Sequence, residues 1–428
     1  MTYKFSNYNI PVESNEKYIL FNSRTLAMAE IDEANYCMFQ TKNLSAINQL
    51  TEEEKTSLLE NGFIVPELLD ELDMLKNDYW ENKFNCPTLH VSIMTTLDCN
   101  FKCFYCFEKK RKMYLNLDTE NLIFNFIYQQ IDNFQNLQID WYGGEPLLNV
   151  TSIKRLSERL IQLCDKKNVK YNASITTNGY NIDLLSEKEL DHYRISSMQV
   201  TIDGVKNVHD QRRILLNGEG TYDKIINNII SRPKILFDIR VNVDNESYKQ
   251  AKQLFDELKK HNLKNINVSV KGIVSSDNNP CHEKEIDDLS LPQITLELYN
   301  YLDKIGIPSA FSNCFDTLTR EYCVVDTNSQ YIISPDGGVF KCGEAFDDSD
   351  PGKIGVLDLD GLQLNRNIYK WVKDPFVYDE CLQCNVLPLC MGGCQLMRNV
   401  KKSKACHGEY KYGIKQLIIN YYNKQCVN

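Results

Sequence analysis

Between His90 and about residue 274 the chain alternates short apolar, β-branched runs with longer stretches of helical period. The strand candidates are 89–97, 137–142, 171–178, 197–203, 236–244 and 266–274. After the first of them, Leu122, Ile123, Phe126, Ile127 and Ile131 recur at helical spacing, and 151–165 and 246–260 behave alike. A strand reaches a parallel neighbour only through a crossover of a dozen or more residues, and each helical stretch supplies one. Six βα units predict an α/β fold with a parallel sheet, curved into a partial barrel. In such folds ligands sit beyond the carboxyl ends of the strands.

The flanks read differently. In residues 1–85, Tyr18–Leu20 and Ala27–Ile31 read as two strands around a turn at Asn22–Ser23. Thr51 followed by Glu54 opens a helix to about Glu60, and Asn61-Gly62 stops it. Phe63–Val65 then Pro66 is a further short strand, and an acidic helix, Glu67 to Lys83, leads onward. This predicts a small winged-helix-like α+β module over 1–85, the barrel over 86–309 and a cysteine-rich domain over 310–428. In the last, Asp336-Gly337-Gly338 predicts a hairpin turn between Gln330–Ser334 and Val339–Lys341, and 409–423 a final amphipathic helix.

Charge narrows the function. The chain carries 48 basic and 58 acidic side chains, net −10, and 7 basic against 15 acidic of these lie in the first 85 residues. An acidic chain is a poor polyphosphate binder, so nucleic acid is not expected as partner. With no 18-residue apolar run and no charged-then-apolar N-terminus, the expectation is a soluble, cytoplasmic protein without a membrane partner.

Sixteen cysteines are then anomalous. A disulfide scaffold would be short and secreted, and clustered cysteines in a reducing compartment point to metal. Cys99, Cys103 and Cys106 follow the first strand as C-x3-C-x2-C. Three thiolates on one loop suit three irons of a 4Fe–4S cube, leaving the fourth iron to a non-protein ligand. Zinc prefers C-x2-C pairs and four protein ligands.

With Tyr105 at the aromatic position, this resembles the C-x3-C-x-aromatic-C signature of the radical S-adenosylmethionine (SAM) enzymes. Gly143-Gly144-Glu145-Pro146, at the end of the second strand, is similar to the family's Gly-Gly-Glu-Pro motif. The resemblance implies a partial (β/α)6 barrel and a cluster whose open iron binds SAM. Electron transfer to SAM would then give a radical that abstracts hydrogen from an unactivated C–H bond. It implies that Gly143, Gly144 and Glu145 hold the methionine amino group, with Thr201 toward the ribose and Arg213 toward the methionine carboxylate. For Thr201 and Arg213 the plainer reading is strand-end polar groups satisfying backbone.

Cys323-x13-Gly337-x4-Cys342, then Cys381-x2-Cys384-x5-Cys390-x3-Cys394 and Cys406, resembles the seven-cysteine SPASM domain with two auxiliary 4Fe–4S clusters. By that resemblance Cys381, Cys384, Cys390 and Cys406 hold the outer cluster. Cys323, Cys342 and Cys394 hold the inner one, with Cys314 or a substrate thiolate as its fourth ligand.

Radical SAM enzymes with SPASM domains mostly modify peptides. The resemblance implies a maturase of a ribosomally made peptide, forming a thioether crosslink from Cys, with the peptide's leader docked on residues 1–85 and an electron donor such as flavodoxin or ferredoxin. The alternative is an anaerobic sulfatase maturase making formylglycine. Those enzymes carry Asp directly after the G-x4-C cysteine, where this chain has Gly343-Glu344. A non-catalytic iron–sulfur electron carrier would explain the cysteines but not Gly143–Pro146. The Lys109–Lys112 run would suit a redox partner and reads more simply as a solvated loop.

Overall fold

The computed structural model describes residues 2–14, 16–275, 281–316, 323–346, 352–400, 402, 405–406 and 408–427. The chain divides into two compact units. One comprises 1–85, 311–327 and 373–428, and the other 86–310 and 328–372. The cysteine-rich stretch expected as a single domain over 310–428 is therefore shared between them.

The first unit begins with β1 (Tyr3–Phe5), β2 (Asn9–Ser14), β3 (Lys17–Asn22) and β4 (Met28–Ile31). Strands β2, β3 and β4 form an antiparallel meander. The turn after β3 is fixed by Asn22, whose Oδ1 accepts from the amides of Arg24 and Thr25 at 3.0 and 3.1 Å. Helices α1 (Glu33–Thr41), α2 (Leu44–Ile47) and α3 (Glu52–Glu60) follow, then β5 (Ile64–Pro66), antiparallel to β1, and α4 (Glu71–Asn85). The capping box expected at Thr51 and Glu54 is present. Phe5, Leu20, Phe39, Phe63 and Ile64 form this module's core.

In the second unit, β6 (Thr88–Thr96), β7 (Asn136–Gly143), β8 (Lys170–Thr177), β9 (Ile195–Thr201), β10 (Leu236–Val243) and β11 (Ile266–Gly272) are parallel and lie in sequence order. Helices α5 (Leu117–Gln130), α6 (Val150–Lys167), α7 (Glu187–His192), α8 (Lys206–Arg212), α9 (Tyr222–Ile230) and α10 (Ala251–Lys260) lie between strands, and α11 (Ser290–Ile305) follows the last. Along β7, Leu137, Ile139 and Trp141 are buried while Gln138, Asp140 and Tyr142 are half-exposed. The same alternation runs through β8 and β9, so one sheet face is apolar and the other polar.

The sheet continues where the sequence pattern gave no sign of it. Strand β12 (Gln330–Ile333) pairs in parallel with β6, and β13 (Gly338–Phe340), β14 (Lys353–Asp358) and β15 (Gly361–Leu364) add on antiparallel. The expected hairpin turn is there, with Gly337 at φ +83°. The remaining elements return to the first unit: α12 (Asp379–Leu382), α13 (Leu387–Cys390), a π-helical turn at Leu396–Val400, and α14 (Gly408–Val427).

Candidate functional site

The chain leaves β6 at Thr96 and closes a loop on itself. The Leu97 amide donates to Met113 O at 2.9 Å, Arg111 N to Leu97 O at 3.0 Å and Leu115 N to Thr95 O at 2.8 Å. Cys99, buried, and Cys103 and Cys106, half-buried, ride on this loop beyond the strand's carboxyl end. The Phe101 amide donates to Cys99 Sγ at 3.4 Å. Burial pushes the Cys99 thiol up to about 12 and raises that of Cys106, where the Glu108 carboxylate adds to the effect. A thiol that holds its proton this firmly gives it up to a metal, not to water.

The Gly-Gly-Glu turn at the end of β7 is bonded directly to this loop. Gly144 N donates to Thr96 O at 3.0 Å and Glu145 N to Asp98 O at 2.9 Å. A Cβ on Gly143, at φ +125°, would stand 2.2 Å from Thr96 O, and one on Gly144 2.4 Å from Asp98 O. The glycines thus have a task beyond admitting an ammonium group: they let the cysteine loop approach. Glu145 is fully buried, and its carboxylate accepts from Leu147 N at 3.0 Å, Thr177 Oγ1 at 2.8 Å and Asn178 N at 2.7 Å. It straps the ends of β7 and β8 together, while burial raises its pKa.

Asn178 extends the strap. Its Nδ2 donates to Asn100 Oδ1 at 2.8 Å and lies 3.9 Å from Cys99 Sγ. Tyr105, between the second and third cysteines, donates its hydroxyl to Asp203 Oδ2 at 2.6 Å. Its hydroxyl accepts from Arg213 NH1 at 2.7 Å and Asn242 Nδ2 at 3.1 Å. Asp203 also accepts from Arg212 Nε at 3.2 Å, and Arg212 is held in turn by Asp244. Buried Asp203 therefore joins the cysteine loop to the ends of β9 and β10. Nothing in the sequence singles Asp203 out, because one acid at a strand end carries no periodic signal. His209 is a structural member: its Nδ1 accepts from Asp203 N at 3.3 Å and its Nε2 meets Thr221 Oγ1 at 3.0 Å. Burial, with Arg213 beside it, lowers its pKa to about 3.

Thr201 stands half-buried at the last position of β9, opposite Arg240 of β10. One residue before Gly143, Tyr142 hydrogen-bonds Glu108, with Glu344 and Arg240 in electrostatic range. A Cβ on Gly343 would lie 3.7 Å from the Tyr142 hydroxyl. The residues after Cys342 therefore abut the end of β7. The sequence reading missed both Tyr142 and Glu108.

Of the eight cysteines assigned to the auxiliary clusters, all but Cys342 belong to the first unit. The Cys390 thiol feels Cys384, Cys381 and Cys406, and that of Cys381 feels Cys406 and Cys384. These four are the set assigned to one outer cluster. Tyr410 lies within electrostatic reach of both Cys314 and Cys390. Among the described residues no three Cys, His, Asp or Glu side chains stand at the spacing of a closed metal site. The donor set nonetheless suits the expected cofactors. One buried and two half-buried thiols share one loop, and Arg213 Nε is buried without a hydrogen-bond partner among the described residues.

Among the described residues no helix is long and apolar enough to cross a membrane. Residues 93–231 match the Radical SAM superfamily. The cysteine-type anaerobic sulfatase-maturating enzyme of Clostridium novyi is 23% identical over 325 residues, 70% of this chain and 85% of that one. Radical SAM cyclopropyl synthase TigE of Paramaledivibacter caminithermalis is 25% identical over 404 residues, 84% of this chain and 79% of that one. Among solved structures, anSMEcpe with bound AdoMet and Cp18Cys peptide shares the fold at TM-score 0.60 and 18% identity, covering 80% of this chain and 99% of that one. Streptococcus suis SuiB bound to precursor peptide SuiA does so at TM-score 0.50 and 16% identity, covering 94% and 98%. Residues 93–231 are a radical SAM domain, and the chain, an enzyme, is related to the anaerobic sulfatase-maturating enzymes and to the radical SAM cyclopropyl synthase TigE.

Proposed function

We propose that this enzyme modifies a ribosomally made peptide by hydrogen abstraction, forming a thioether crosslink from a Cys sulfur. Cys99, Cys103 and Cys106 hold the 4Fe–4S cluster at which SAM binds. Bound there, the pair supplies removal of a hydrogen atom from an unactivated C–H bond. The residues of the chain orient that chemistry. Gly143–Glu145 offer backbone to the methionine amino group, Arg213 offers Nε to the methionine carboxylate, and Thr201 faces the ribose. Asp203 keeps Tyr105 and Arg212 in place around them. Cys381, Cys384, Cys390 and Cys406 would hold an outer auxiliary cluster, and Cys314, Cys323 and Cys394 would serve an inner one. Closing a thioether after hydrogen abstraction breaks the thiol S–H bond and leaves one proton, lost to solvent, and one electron, which an auxiliary centre would take up.

The observation that carries the peptide reading is the edge strand β4, which pairs with β3 on one side only in the three-stranded sheet of residues 1–85. Such an edge can take an added strand from a leader, with pockets for alternate side chains. The precursor-bound SuiB structure, whose fold covers 94% of this chain, supports that role for a winged-helix-like module.

Formylglycine formation is the second reading, and one observation favours it. Glu344, one residue later than the Asp of sulfatase maturases, still lies within electrostatic reach of Tyr142.

One experiment separates the two. Anaerobically reconstituted enzyme receives SAM, reductant and either a sulfatase-motif peptide or a cysteine-containing precursor with its leader. Mass spectrometry follows deoxyadenosine and the loss of two hydrogens from each peptide. Oxidation of the precursor alone is the expected result, and oxidation of the sulfatase peptide alone overturns it.

A further inference from the structure

Two cations are buried in the first unit. Lys83, in α4, is 1% exposed, and Arg398, in the π-helical turn, is 4% exposed. Among the described residues the charges felt at Lys83 are Asp326, Arg398 and Asp374. Asp326 is buried and Asp374 half-buried. Asp326 Oδ1 is shared among several donors. It stands 3.7 Å from Arg398 NH2 and accepts from the Tyr79 hydroxyl at 3.4 Å and from Gln395 Nε2. Lys83 Nζ lies over the rings of Tyr79 and Trp80, 5.5 and 5.9 Å from their centroids. Taking an ionised side chain out of water is costly unless an opposite charge repays it. Two buried cations that share one buried carboxylate therefore call for a further negative group beside them.

The bonds of Arg398 point to that group. Its amide donates to Cys394 O at 3.0 Å. Its NH1 donates to the carbonyls of Met391 at 3.1 Å and Gly393 at 3.3 Å, both in the turn between Cys390 and Cys394. A Cβ on Gly392 would stand 2.7 Å from NH1, so glycine in this turn admits the guanidinium. NH2 is buried with no hydrogen-bond partner among the described residues. The charge of Arg398 is felt at the Cys381 thiol, which also feels Cys406 and Cys384. Lys83 is tied to the same place through Tyr79, whose buried cluster packs against Cys381 and Cys384.

We infer that Arg398 and Lys83 are fixed counter-charges of an auxiliary 4Fe–4S centre on Cys381, Cys384, Cys390 and Cys406, and that they raise its reduction potential so that it takes up the electron left by crosslinking. The inference rests on the proposed assignment of those four cysteines. An arginine keeps its charge at every working pH. The reduced centre carries one more negative charge than the oxidised one, so buried cations beside it favour the reduced form. The step moves one electron and no atom: the peptide radical is oxidised by one electron and the centre reduced by one. A structural ion pair alone would need only one cation for Asp326.

The test is a redox titration of the anaerobically reconstituted enzyme, followed by electron paramagnetic resonance. The signal missing from C384S identifies the outer centre. R398Q and K83M are each expected to retain iron and to lower that centre's potential, by a fall of about tenfold or more in the equilibrium constant for its reduction, about 59 mV for one electron. R398K keeps the charge and loses the planar fork, and is expected to stay close to the unaltered enzyme. Unchanged potentials in R398Q and K83M overturn the inference. So does an equal fall in R398K and R398Q, which would assign the effect to hydrogen bonds and not to charge. If R398Q sheds iron, K83M decides: a lowered potential supports the inference and an unchanged one overturns it. An unaltered enzyme without any reducible centre that depends on Cys384 overturns the cysteine assignment and the inference with it, whereas a centre that is present and does not respond to either cation overturns the inference alone.

Discussion

The amide of Glu145 donates to the carbonyl of Asp98 at 2.9 Å, so the second strand's terminal turn and the cysteine loop are one backbone assembly. Gly144 makes this possible, because a Cβ there would stand 2.4 Å from the same carbonyl. The obstacle is backbone, not a side chain that can swing away. Gly144→Ala is therefore expected to push the loop off its seat, at a cost of about 1–3 kcal/mol. Loss of cluster absorbance together with deoxyadenosine production checks this. Full retention of iron with normal turnover would show that the two segments can separate without consequence.

A second prediction concerns Asp203, which accepts from the Tyr105 hydroxyl at 2.6 Å and Arg212 Nε at 3.2 Å. Asp203→Asn keeps the shape but removes the charge that balances Arg212. Breaking a buried pair on one side costs about 3–5 kcal/mol. Asp244 still holds Arg212, so the lower part of that range is expected, read as a fall in the denaturant midpoint at unchanged slope. Weaker SAM binding should accompany it, because Arg213 is also bonded to Tyr105. Equal stability of the variant and the parent enzyme would mean that Asp203 is not the hub described.

The six parallel strands were legible because each obeys a local period and each crossover is long enough to be seen. Strand β12 was not. Gln330–Ile333 read as half of a hairpin, and nothing local says that it also pairs with His90–Ile93, more than two hundred residues earlier. Strand β1 has three residues and β2 contains Pro11, so neither shows an alternating run. At the site, cysteine spacing and the Gly-Gly-Glu-Pro stretch were legible as patterns. Asp203, Asn178 and the Tyr142–Glu108 pair were not, because their meaning comes from contacts between strand ends that are adjacent only in the folded sheet.

The truncation that would most simply test leader docking is expected to do something else. Tyr8, Leu75 and Tyr79 of the N-terminal module share one buried cluster with Leu387 and Met391, and Cys381 and Cys384 pack against it. Ser23 Oγ also bonds the carbonyl of Asn385. Removing residues 1–85 would strip the wall from the segment bearing Cys381 and Cys384. The expected outcome is loss of about four irons per chain, one cluster's worth, along with peptide affinity. Iron analysis of the truncated chain checks it. A truncated enzyme with full iron and lost peptide affinity would restore the simpler view of the module as a detachable docking device. Substitutions along Met28–Ile31 test the edge strand without disturbing that core.

The last prediction follows from His209, which is fully buried with both ring nitrogens engaged. Its pKa is lowered to about 3, because burial disfavours the imidazolium and Arg213 and Arg212 oppose it, with Asp210 acting the other way. The unfolded chain takes up a proton near pH 6.5 while the folded chain does not until about pH 3. Between those values the unfolded state binds more protons, so stability falls as pH falls, by up to about 1.4 kcal/mol per unit from this residue. Buried Glu145, with a raised pKa, works in the opposite sense, so the difference between variants is the clean measure. His209→Gln lowers stability at pH 8 by the loss of its buried bonds, yet its stability should decline less steeply between pH 6.5 and 5 than that of the parent. Denaturant titrations of both proteins across that range read the two slopes. Parallel slopes would mean that His209 is already charged in the folded chain, which its acceptor role toward the Asp203 amide forbids.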